Sequence, residues 1–377
     1  MAEEGLVLRV RQPAPIPLDA EFACAPGQVL ALVGPSGSGK SSLLRCIAGL
    51  LTPAEGRIGC AGETWLDTAR GLDVPTPRRR IGFVFQSYAL FPHLTALENV
   101  MEGLGDVPPG GRRSRAQALL ALVHLAGLED RTPHRLSGGQ QQRVAVARAL
   151  ARNPHVLLLD EPFSAVDRST REKLYGELAD LRRQLRMPVI LVTHDLDEAA
   201  MLADRMCILS HGRTLQSGPP LEVLQRPASV AVARLVGLKN IFAGTVVSHD
   251  PGAGTTLLGW KGRLLPIALQ EAYPAGNLVA FSVPADGVLL LPPDAGSRGP
   301  RDTLLEGTVL SLTTLGDRVR ITLCVEGGEP ANLFTTLSRH VTARYTLAEG
   351  RSITFRLRGE RVWLMPQAGG DREPDGG

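Results

Sequence analysis

Two glycine-rich stretches carry the clearest chemistry in this sequence. The first, GPSGSGKS at residues 34–41, fits the pattern G-x-x-x-x-G-K-[ST] between a predicted strand and a predicted helix. Its glycines let backbone N–H groups close around phosphate oxygens at the positive end of the helix. The lysine adds a mobile cation, and the serine hydroxyl after it can ligate Mg²⁺. The pattern predicts a phosphate-binding loop made of Gly34, Pro35, Ser36, Gly37, Ser38, Gly39, Lys40, Ser41 and Ser42.

The second stretch is LSGGQQQR at residues 136–143. Ser137, followed three residues later by Gln140, fits the capping box of a helix N-terminus. Gly138 and Gly139 lower helix stability, so capping alone does not explain them. Bare backbone at a capped helix start is an anion site, to which Ser137 adds a hydroxyl. The sequence thus predicts two phosphate cradles about a hundred residues apart.

Polar residues also follow three predicted buried strands. HVLLLDEP ends in Asp160, which can orient Mg²⁺, and in Glu161, which can take a proton from an attacking water. VILVTHD places His194 where an imidazole could stabilise charge on a γ-phosphate, and Gln86 ends the strand IGFVF. Alone, paired acids are more often a solvated strand end, and a single histidine or glutamine is more often structural. The phosphate-binding loop in the same chain favours the functional interpretation.

Composition limits the class of protein. The 377 residues carry a net charge of +3 with 21% charged residues, which gives no reason to expect a nucleic-acid partner. The runs Arg78–Arg80 and Arg112–Arg113 are predicted to be solvated. Five cysteines without a C-x-x-C pair favour a reduced, cytosolic compartment. The sequence shows no signal-peptide pattern and no apolar run of about 18–20 residues, so a membrane role would have to act through a partner.

Strand and helix patterns alternate up to about residue 225 and predict α/β architecture with a covered, mostly parallel sheet. From about residue 237, short alternating strands predict an all-β module or a pair of small barrels, with Leu291–Pro300 as a linker between two such units. The predicted organisation is a domain at 1–235 with a helical part at about 87–151, a β domain at 236–366, and a disordered tail at 367–377.

With these motifs in order, the chain resembles the ATPase subunits of ABC transporters over residues 1–235, through GPSGSGKS, VFQSYALFPHLT, LSGGQQQR, LLLDEP, SAVD and THD. The resemblance implies a P-loop NTPase core of RecA-like fold and an oligomer-binding-type β domain. It implies that residues 34–42 bind ATP, that Ser41, Gln86 and Asp160 hold Mg²⁺, and that Glu161, Gln86 and His194 are catalytic.

The resemblance also implies partners. In this family two ATPase subunits face each other, and the signature of one closes over the ATP of the other. Here the signature is Leu136, Ser137, Gly138, Gly139 and Gln140, and Asp167 lies in the loop that crosses the interface. One P-loop and one signature imply a homodimer on the cytoplasmic face of the plasma membrane. Two permease subunits and a solute-binding protein would complete the transporter, with the segment 86–98 and the insert at about 87–151 passing on the motion.

One departure concerns the base of the nucleotide. Members of the family usually stack the adenine on an aromatic side chain ahead of the P-loop, but residues 6–21 contain no Tyr, Trp or Phe. Phe22 is expected to pack inside the next strand. An aliphatic side chain or Arg11 is therefore expected to support the adenine. Val166, where the family commonly has Leu, is a milder difference.

The transported substrate is predicted from three weaker resemblances to molybdate importers. These are a short N-terminal segment, the insert at 65–82, and the stretch at 306–328 followed by TLSRH. The β domain would then regulate transport by binding the oxyanion, or serve as a dimer scaffold. Sulfate, polyamine, ferric iron or sugar import stays open. A soluble ABC ATPase or an exporter subunit fits less well, because the chain has one cassette, near-neutral charge and a C-terminal β domain.

Overall fold

The computed structural model divides into two compact units, residues 1–223 and 224–377. The division precedes the boundary predicted at residue 235, because helix Val230–Leu235 contributes Ala233 to a core cluster with Ala280 and Met365. Of the predicted tail, only residue 367 is described. The structure describes residues 4–164, 166, 168–291, 299, 301–327, 331–342, 345 and 347–367, with the backbone alone at 168–170, 172 and 173.

The strands of the first unit form a single sheet in the order β6-β5-β4-β1-β2-β11-β10-β3-β9-β8-β7. They are β1 (Leu6–Gln12), β2 (Leu18–Cys24), β3 (Val29–Val33), β4 (Glu55–Cys60), β5 (Glu63–Asp67), β6 (Leu72–Asp73), β7 (Ile81–Val84), β8 (Val156–Asp160), β9 (Val189–Thr193), β10 (Arg205–Ser210) and β11 (Arg213–Gly218). Neighbours from β10 to β7 are parallel, which confirms the predicted parallel core. The flank from β6 to β2 is antiparallel and was not predicted.

The α-helices connect these strands and continue into the second unit. They are α1 (Lys40–Ala48), α2 (Ala96–Met101), α3 (Pro109–Leu122), α4 (Gly138–Leu150), α5 (Arg168–Arg182), α6 (Leu196–Leu202), α7 (Pro220–Gln225), α8 (Val230–Leu235) and α9 (Arg339–Thr342). Short 3-10 helices lie at Thr68–Arg70, Thr76–Arg78, Pro133–Arg135, Ala285–Gly287 and Gly359–Arg361. Within the described residues, no helix is long and apolar enough to cross a membrane.

The two faces of the parallel sheet are covered by different helices. Alternate residues of β8 and β9 belong to two separate core clusters, as expected for strands buried on both sides. Helix α1 packs into one cluster through Leu43, Leu44 and Ile47. Helices α2 to α6 pack into the other. The two glycine-rich motifs therefore open helices on opposite faces of one sheet.

Two details of the helices differ from the sequence pattern. The sequence pattern predicts a helix at 113–126, whereas α3 spans Pro109–Leu122, because Pro109 suits the first helical turn. His124 takes a left-handed φ of 56° just beyond the helix end. Arg79, predicted to be solvated with its neighbours, is 1% exposed. Its guanidinium donates to the carbonyls of Cys46 and Ile47 at the end of α1, both at 2.8 Å.

The second unit is all-β, as predicted, and is built from two five-stranded antiparallel sheets. Their orders are β14-β13-β12-β15-β21 and β16-β20-β17-β18-β19. The strands are β12 (Asn240–Asp250), β13 (Thr255–Trp260), β14 (Arg263–Ala268), β15 (Leu278–Val283), β16 (Val288–Leu290), β17 (Asp302–Leu315), β18 (Arg318–Val325), β19 (Ala331–Ser338), β20 (Ser352–Arg358) and β21 (Trp363–Pro366). Side chains of both sheets share one core.

The expected linker at 291–300 does not separate the two sheets. Both β16 before it and β17 after it pair with β20 in the second sheet. The chain returns to the first sheet only at its last strand, β21, which pairs with β15. Residues 292–298 and 300 lie outside the described part. The prediction of two separate small barrels joined by this linker was therefore wrong. Hydrophobic alternation identifies strands but does not show which strands pair.

Candidate nucleotide-binding site

The P-loop, residues 34–41, joins the end of β3 to the first turn of α1. Gly39, the residue before the helix, has a φ of 94° that strongly favours glycine. A Cβ on Gly34 would lie 2.1 Å from the carbonyl oxygen of Leu209. Both glycines are thus required by backbone geometry, and the loop stays narrow enough to bring its N–H groups to a phosphate.

Lys40 is 5% exposed and folds back over the loop. Its Nζ donates to the carbonyl oxygens of Gly34 and Pro35, both at 2.8 Å, and to Oγ of Ser38 at 3.3 Å. Burial lowers the pKa of Lys40, against the opposing pull of the Glu161 and Asp160 carboxylates. The ammonium group is therefore held by neutral acceptors of the loop. A charged phosphate oxygen is a stronger acceptor and could replace them.

Ser41 and Asp160 are in contact although 119 residues separate them in the chain. Oγ of Ser41 donates to Oδ1 of Asp160 at 3.0 Å. Burial raises the pKa of Asp160, and the hydrogen bond from Ser41 opposes that rise. A hydroxyl beside a carboxylate is a pair of oxygen donors of the kind that Mg²⁺ prefers, whereas the third predicted ligand, Gln86, contacts the next residue, Glu161.

Gln86 and His194, the other two predicted catalytic residues, both contact Glu161. Its Oε2 accepts from Nε2 of Gln86 at 3.2 Å and lies 3.4 Å from Nδ1 of His194. The parallel strands β7, β8 and β9 end at one edge of the sheet, which brings these side chains together. Glu161 also has a positive φ of 44°, a backbone strain of the kind that clusters at functional sites.

The signature, Leu136–Gln140, forms the predicted capping box at the start of α4. Ser137 Oγ accepts from the backbone N–H of Gln140 at 3.3 Å, and Gln140 Oε1 accepts from the N–H of Ser137 at 2.9 Å. Ser137 is exposed, while Leu136 and Gly139 are buried. Gly139 packs tightly, since a Cβ there would lie 3.0 Å from Leu174. The structure does not bring this motif to its own P-loop, because α4 and α1 cover opposite faces of the sheet.

The other predicted residues fall into three groups. Pro35, Ser36 and Gly37 are exposed at the tip of the P-loop, whereas Ser42 is buried in α1. Asp167 lies outside the described residues. Phe22 is 5% exposed on the inward side of β2, which confirms that it packs inside.

Two residues around the site were missed by the sequence reasoning. Glu198 of α6 is 4% exposed, and its Oε2 accepts from the hydroxyl of Thr193 at 3.0 Å. Arg171 of α5 lies 3.7 Å from Asp195 and donates to the carbonyl of Val166 at 3.0 Å. The signal for Glu198 was its place three residues after the helix cap Asp195, which suggests a capping box, although the side chain turns inward instead.

The chain is similar in sequence to known proteins. Residues 18–164 match the family model described as ABC transporter. A spermidine/putrescine import ATP-binding protein of Oleidesulfovibrio alaskensis is 42% identical over 71% of this chain and 69% of its own length. A molybdenum import ATP-binding protein of Pseudomonas aeruginosa is 41% identical over 76% and 80%. A sulfate/thiosulfate import ATP-binding protein of Brucella melitensis is 38% identical over 92% and 90%.

Proposed function

The chain belongs to the importer-type ATP-binding subunits of ABC transporters, which hydrolyse ATP, and we propose that it powers the uptake of an oxyanion, molybdate. The observation that carries the catalytic part is the convergence of Gln86 and His194 on one carboxylate oxygen of Glu161, beside the P-loop. The substrate rests on sequence similarity and is argued separately below.

For hydrolysis, residues 34–42 bind the phosphates of ATP through the P-loop backbone. Lys40 turns from the loop carbonyls to the phosphate oxygens, because an anion is a stronger acceptor than a neutral carbonyl. Glu161 accepts a proton from the attacking water, and Gln86 orients that water. His194 donates to the γ-phosphate and stabilises the charge that develops there.

Ser41, Asp160 and Gln86 are the residues that would hold Mg²⁺. The hydrogen bond between Ser41 and Asp160 supports this assignment, since it already places a hydroxyl and a carboxylate oxygen side by side. When bound, Mg²⁺ neutralises charge on the β- and γ-phosphate oxygens. Asp160 also holds Ser41 in place at the first turn of α1.

Adenine would lie along the start of β2. Leu18 approaches within 3.0 Å of the Cβ position of Gly39, so the segment leading into β2 runs beside the P-loop. In that segment Ile16 is an exposed apolar side chain, and Arg11 is exposed at the end of β1. An aliphatic face and a guanidinium plane can both support a base, although with less stacking energy than an aromatic ring.

The second ATPase subunit would be a copy of this chain. Ser137, whose side chain is exposed, and the backbone at the start of α4 lie on the face of the sheet opposite to α1 and its P-loop. In a head-to-tail pair they would close over the γ-phosphate held by the partner, and Asp167 would lie at the interface.

A membrane subunit would dock on a cleft of about 480 Å³ beside the helical insert. Phe85 and Phe91 line it with 42% and 43% of their surface exposed, an unusual exposure for aromatic side chains. The segment from Gln86 to Phe91 links this cleft to Glu161, so a helix seated there could sense the nucleotide. We propose that this chain lies on the cytoplasmic face of the membrane, as its resemblance to ABC importer subunits implies.

Molybdate is favoured over the other substrates by three features together. The insert at 65–82 and the stretch at 306–328 resemble those of molybdate importers, and the N-terminal segment is similarly short. Of the three relatives named above, one is named for molybdenum import, and one is named for the oxyanions sulfate and thiosulfate and matches 92% of this chain. Polyamine import is the second candidate, because the relative of Oleidesulfovibrio alaskensis has the highest identity of the three.

The test is transport by the assembled complex. The chain is reconstituted in liposomes with the permease and binding protein encoded beside it, and ATP-dependent uptake of molybdate, sulfate, putrescine and Fe³⁺ is compared. A complex containing Glu161→Gln serves as the matched control without turnover. Molybdate uptake that requires Glu161 supports the proposal. Uptake of putrescine, Fe³⁺ or sulfate without molybdate contradicts the substrate.

A further inference from the structure

The buried carboxyl group of Glu198 is hydrogen-bonded to the residue that precedes His194. Oε2 of Glu198 accepts from Oγ1 of Thr193 at 3.0 Å, and the same hydroxyl accepts from the backbone N–H of Asp195 at 3.0 Å. Thr193 and Asp195 are the two neighbours of His194 in the chain. The Glu198 side chain therefore holds Thr193 directly and Asp195 through the Thr193 hydroxyl, and it makes no hydrogen bond to the imidazole among the described residues.

The second oxygen of this carboxyl makes the arrangement unusual. Oε1 of Glu198 is buried and has no hydrogen-bond partner among the residues that the structure describes. An ionised carboxylate with one oxygen unsolvated and unpaired is costly, whereas a neutral carboxylic acid is tolerated in the same place. The geometry thus favours the protonated form.

The groups packed around Glu198 act in both directions. The hydrogen bond from Thr193 and the charge of Arg171 on α5 act to lower the pKa of Glu198, although Arg171 also lies against Asp195 and the carbonyl of Val166. Asp195 from its own helix cap and Glu161 after β8 are negative, and both act to raise that pKa. Tyr175, also on α5, has its pKa raised to about 12 by burial and stays neutral. Burial, the largest cause, raises the pKa of Glu198 to about 8.

We propose that Glu198 is a positioning residue that keeps His194 against Glu161 while its carboxyl is neutral and releases it when the carboxyl ionises. The inference rests on the proposed function, because it assigns a task to His194. Ionisation places a third negative charge beside Asp195 and Glu161 and draws water toward the unpaired oxygen. Repulsion from Asp195 and Glu161 shifts the Glu198 carboxylate, and Thr193 shifts with it, because an ionised carboxylate accepts the Thr193 hydroxyl more strongly than a neutral carboxyl does. This shift moves the His194 backbone away from its position beside Glu161.

The test compares ATPase activity of the full chain with that of Glu198→Gln, Glu198→Ala and Asp197→Asn between about pH 7 and about pH 9. Asp197 is the matched control, since it lies next to Glu198 on the same helix but is exposed. We expect kcat of the wild type and of the control to fall about tenfold over this range. Glu198→Gln, a neutral isostere, should change by less than about twofold, because it keeps an acceptor for Thr193 but cannot ionise. Glu198→Ala should lose about tenfold in kcat with little change in KM.

A second readout does not depend on turnover. In chain labelled with ¹⁵N-histidine, the His194 imidazole resonances should shift with a midpoint near pH 8 in the wild type and not in Glu198→Gln. An active wild type whose pH profile is reproduced by Glu198→Gln overturns this inference alone. A wild-type chain that binds no ATP and hydrolyses none overturns the proposed function, and this inference with it.

Discussion

The hydroxyl of Ser41 donates to Oδ1 of Asp160 across 3.0 Å, although 119 residues separate the two in the chain. Ser41 sits in the first turn of α1 and Asp160 at the end of β8. The sheet order β3-β9-β8 places these ends at one edge. The contact therefore joins the phosphate-binding loop to the strand that carries Glu161, and the metal-binding role proposed for both residues can be tested on either side.

We expect Asp160→Asn to lower kcat for ATP about 100-fold and to weaken the dependence on Mg²⁺. The amide keeps the hydrogen bond from Ser41 but removes the negative charge that a divalent cation needs. Titrating ATPase activity with Mg²⁺ measures the effect. Asp106→Asn, an exposed aspartate elsewhere, is the control. An unchanged Mg²⁺ requirement in Asp160→Asn contradicts the proposed ligand set.

We expect Glu161→Gln to abolish turnover while leaving ATP binding in place, because the amide cannot accept the proton of the attacking water. ATP then stays between two subunits, so the variant should form a stable dimer with ATP. Light scattering with and without ATP measures this, and Glu63→Gln, an exposed glutamate, serves as control. A variant that remains monomeric with saturating ATP counts against the proposed head-to-tail pair.

We expect Ser137→Arg to block hydrolysis without weakening ATP binding to the isolated chain, because the signature acts on a partner's nucleotide. The measurements are ATPase activity and binding of a fluorescent ATP analogue by the monomer. Equal loss of binding would instead mean that the motif contacts the nucleotide of its own chain.

Loss of the helix cap has to be separated from loss of the nucleotide contact. Ser137 caps α4, and removing such a cap costs about 1 kcal/mol. Ser229→Ala removes a comparable cap from α8 in the other unit, where the hydroxyl accepts from Val232. This control should lose stability and keep ATPase activity.

The nucleotide-binding part of the fold could be predicted because the sequence patterns that specify it are local. The strands β3, β8 and β9 are rich in Val, Ile and Leu, and this pattern predicts strands at 29–33, 156–159 and 189–192, within one residue of the observed bounds. P-loop and signature residues are fixed by glycine and capping patterns within a few positions. The proximity of Gln86, Glu161 and His194 followed from the rule that parallel strands end at one edge.

The features that the sequence did not predict depend on contacts between residues far apart in the chain or on how an element packs. The return of β21 to the first C-terminal sheet has no local signal, because strands with similar alternation can pair in several ways. Arg79 lies in a run of three arginines, and nothing in that run shows that Arg79 is buried while Arg78 and Arg80 are exposed. Glu198 resembled a capping residue, and only the packing of α6 turns it toward Thr193.

Arg79 offers a test of that buried contact. Replacing it with Met leaves the carbonyls of Cys46, Ile47 and Val74 without their donor. We expect Arg79→Met to cost about 3 kcal/mol or more of unfolding free energy. Thermal unfolding followed by circular dichroism measures the loss as a Tm lower by several degrees. Arg78→Met, at the exposed neighbour, should leave Tm unchanged within about 1 °C, and an equal loss in both would show that the buried contact contributes nothing.

The buried Glu198 gives the stability of the protein a dependence on pH that can be isolated. Its pKa is raised from 4.5 to about 8 in the folded chain, so folding takes up a proton between these values. The stabilisation of the neutral form is complete below about pH 4.5, shrinks as the pH rises, and is lost above about pH 8. Glu198→Gln cannot ionise and escapes this loss.

We therefore expect Glu198→Gln to match the wild type near pH 5 and to exceed its unfolding free energy by on the order of 3 kcal/mol at pH 8. Urea unfolding at several pH values measures the difference. Asp197→Asn, which is exposed, should follow the wild type throughout. A constant difference between Glu198→Gln and the wild type across this range would mean that Glu198 is ionised in the folded protein at every pH tested. In that case Arg171 would have to be its counter-ion.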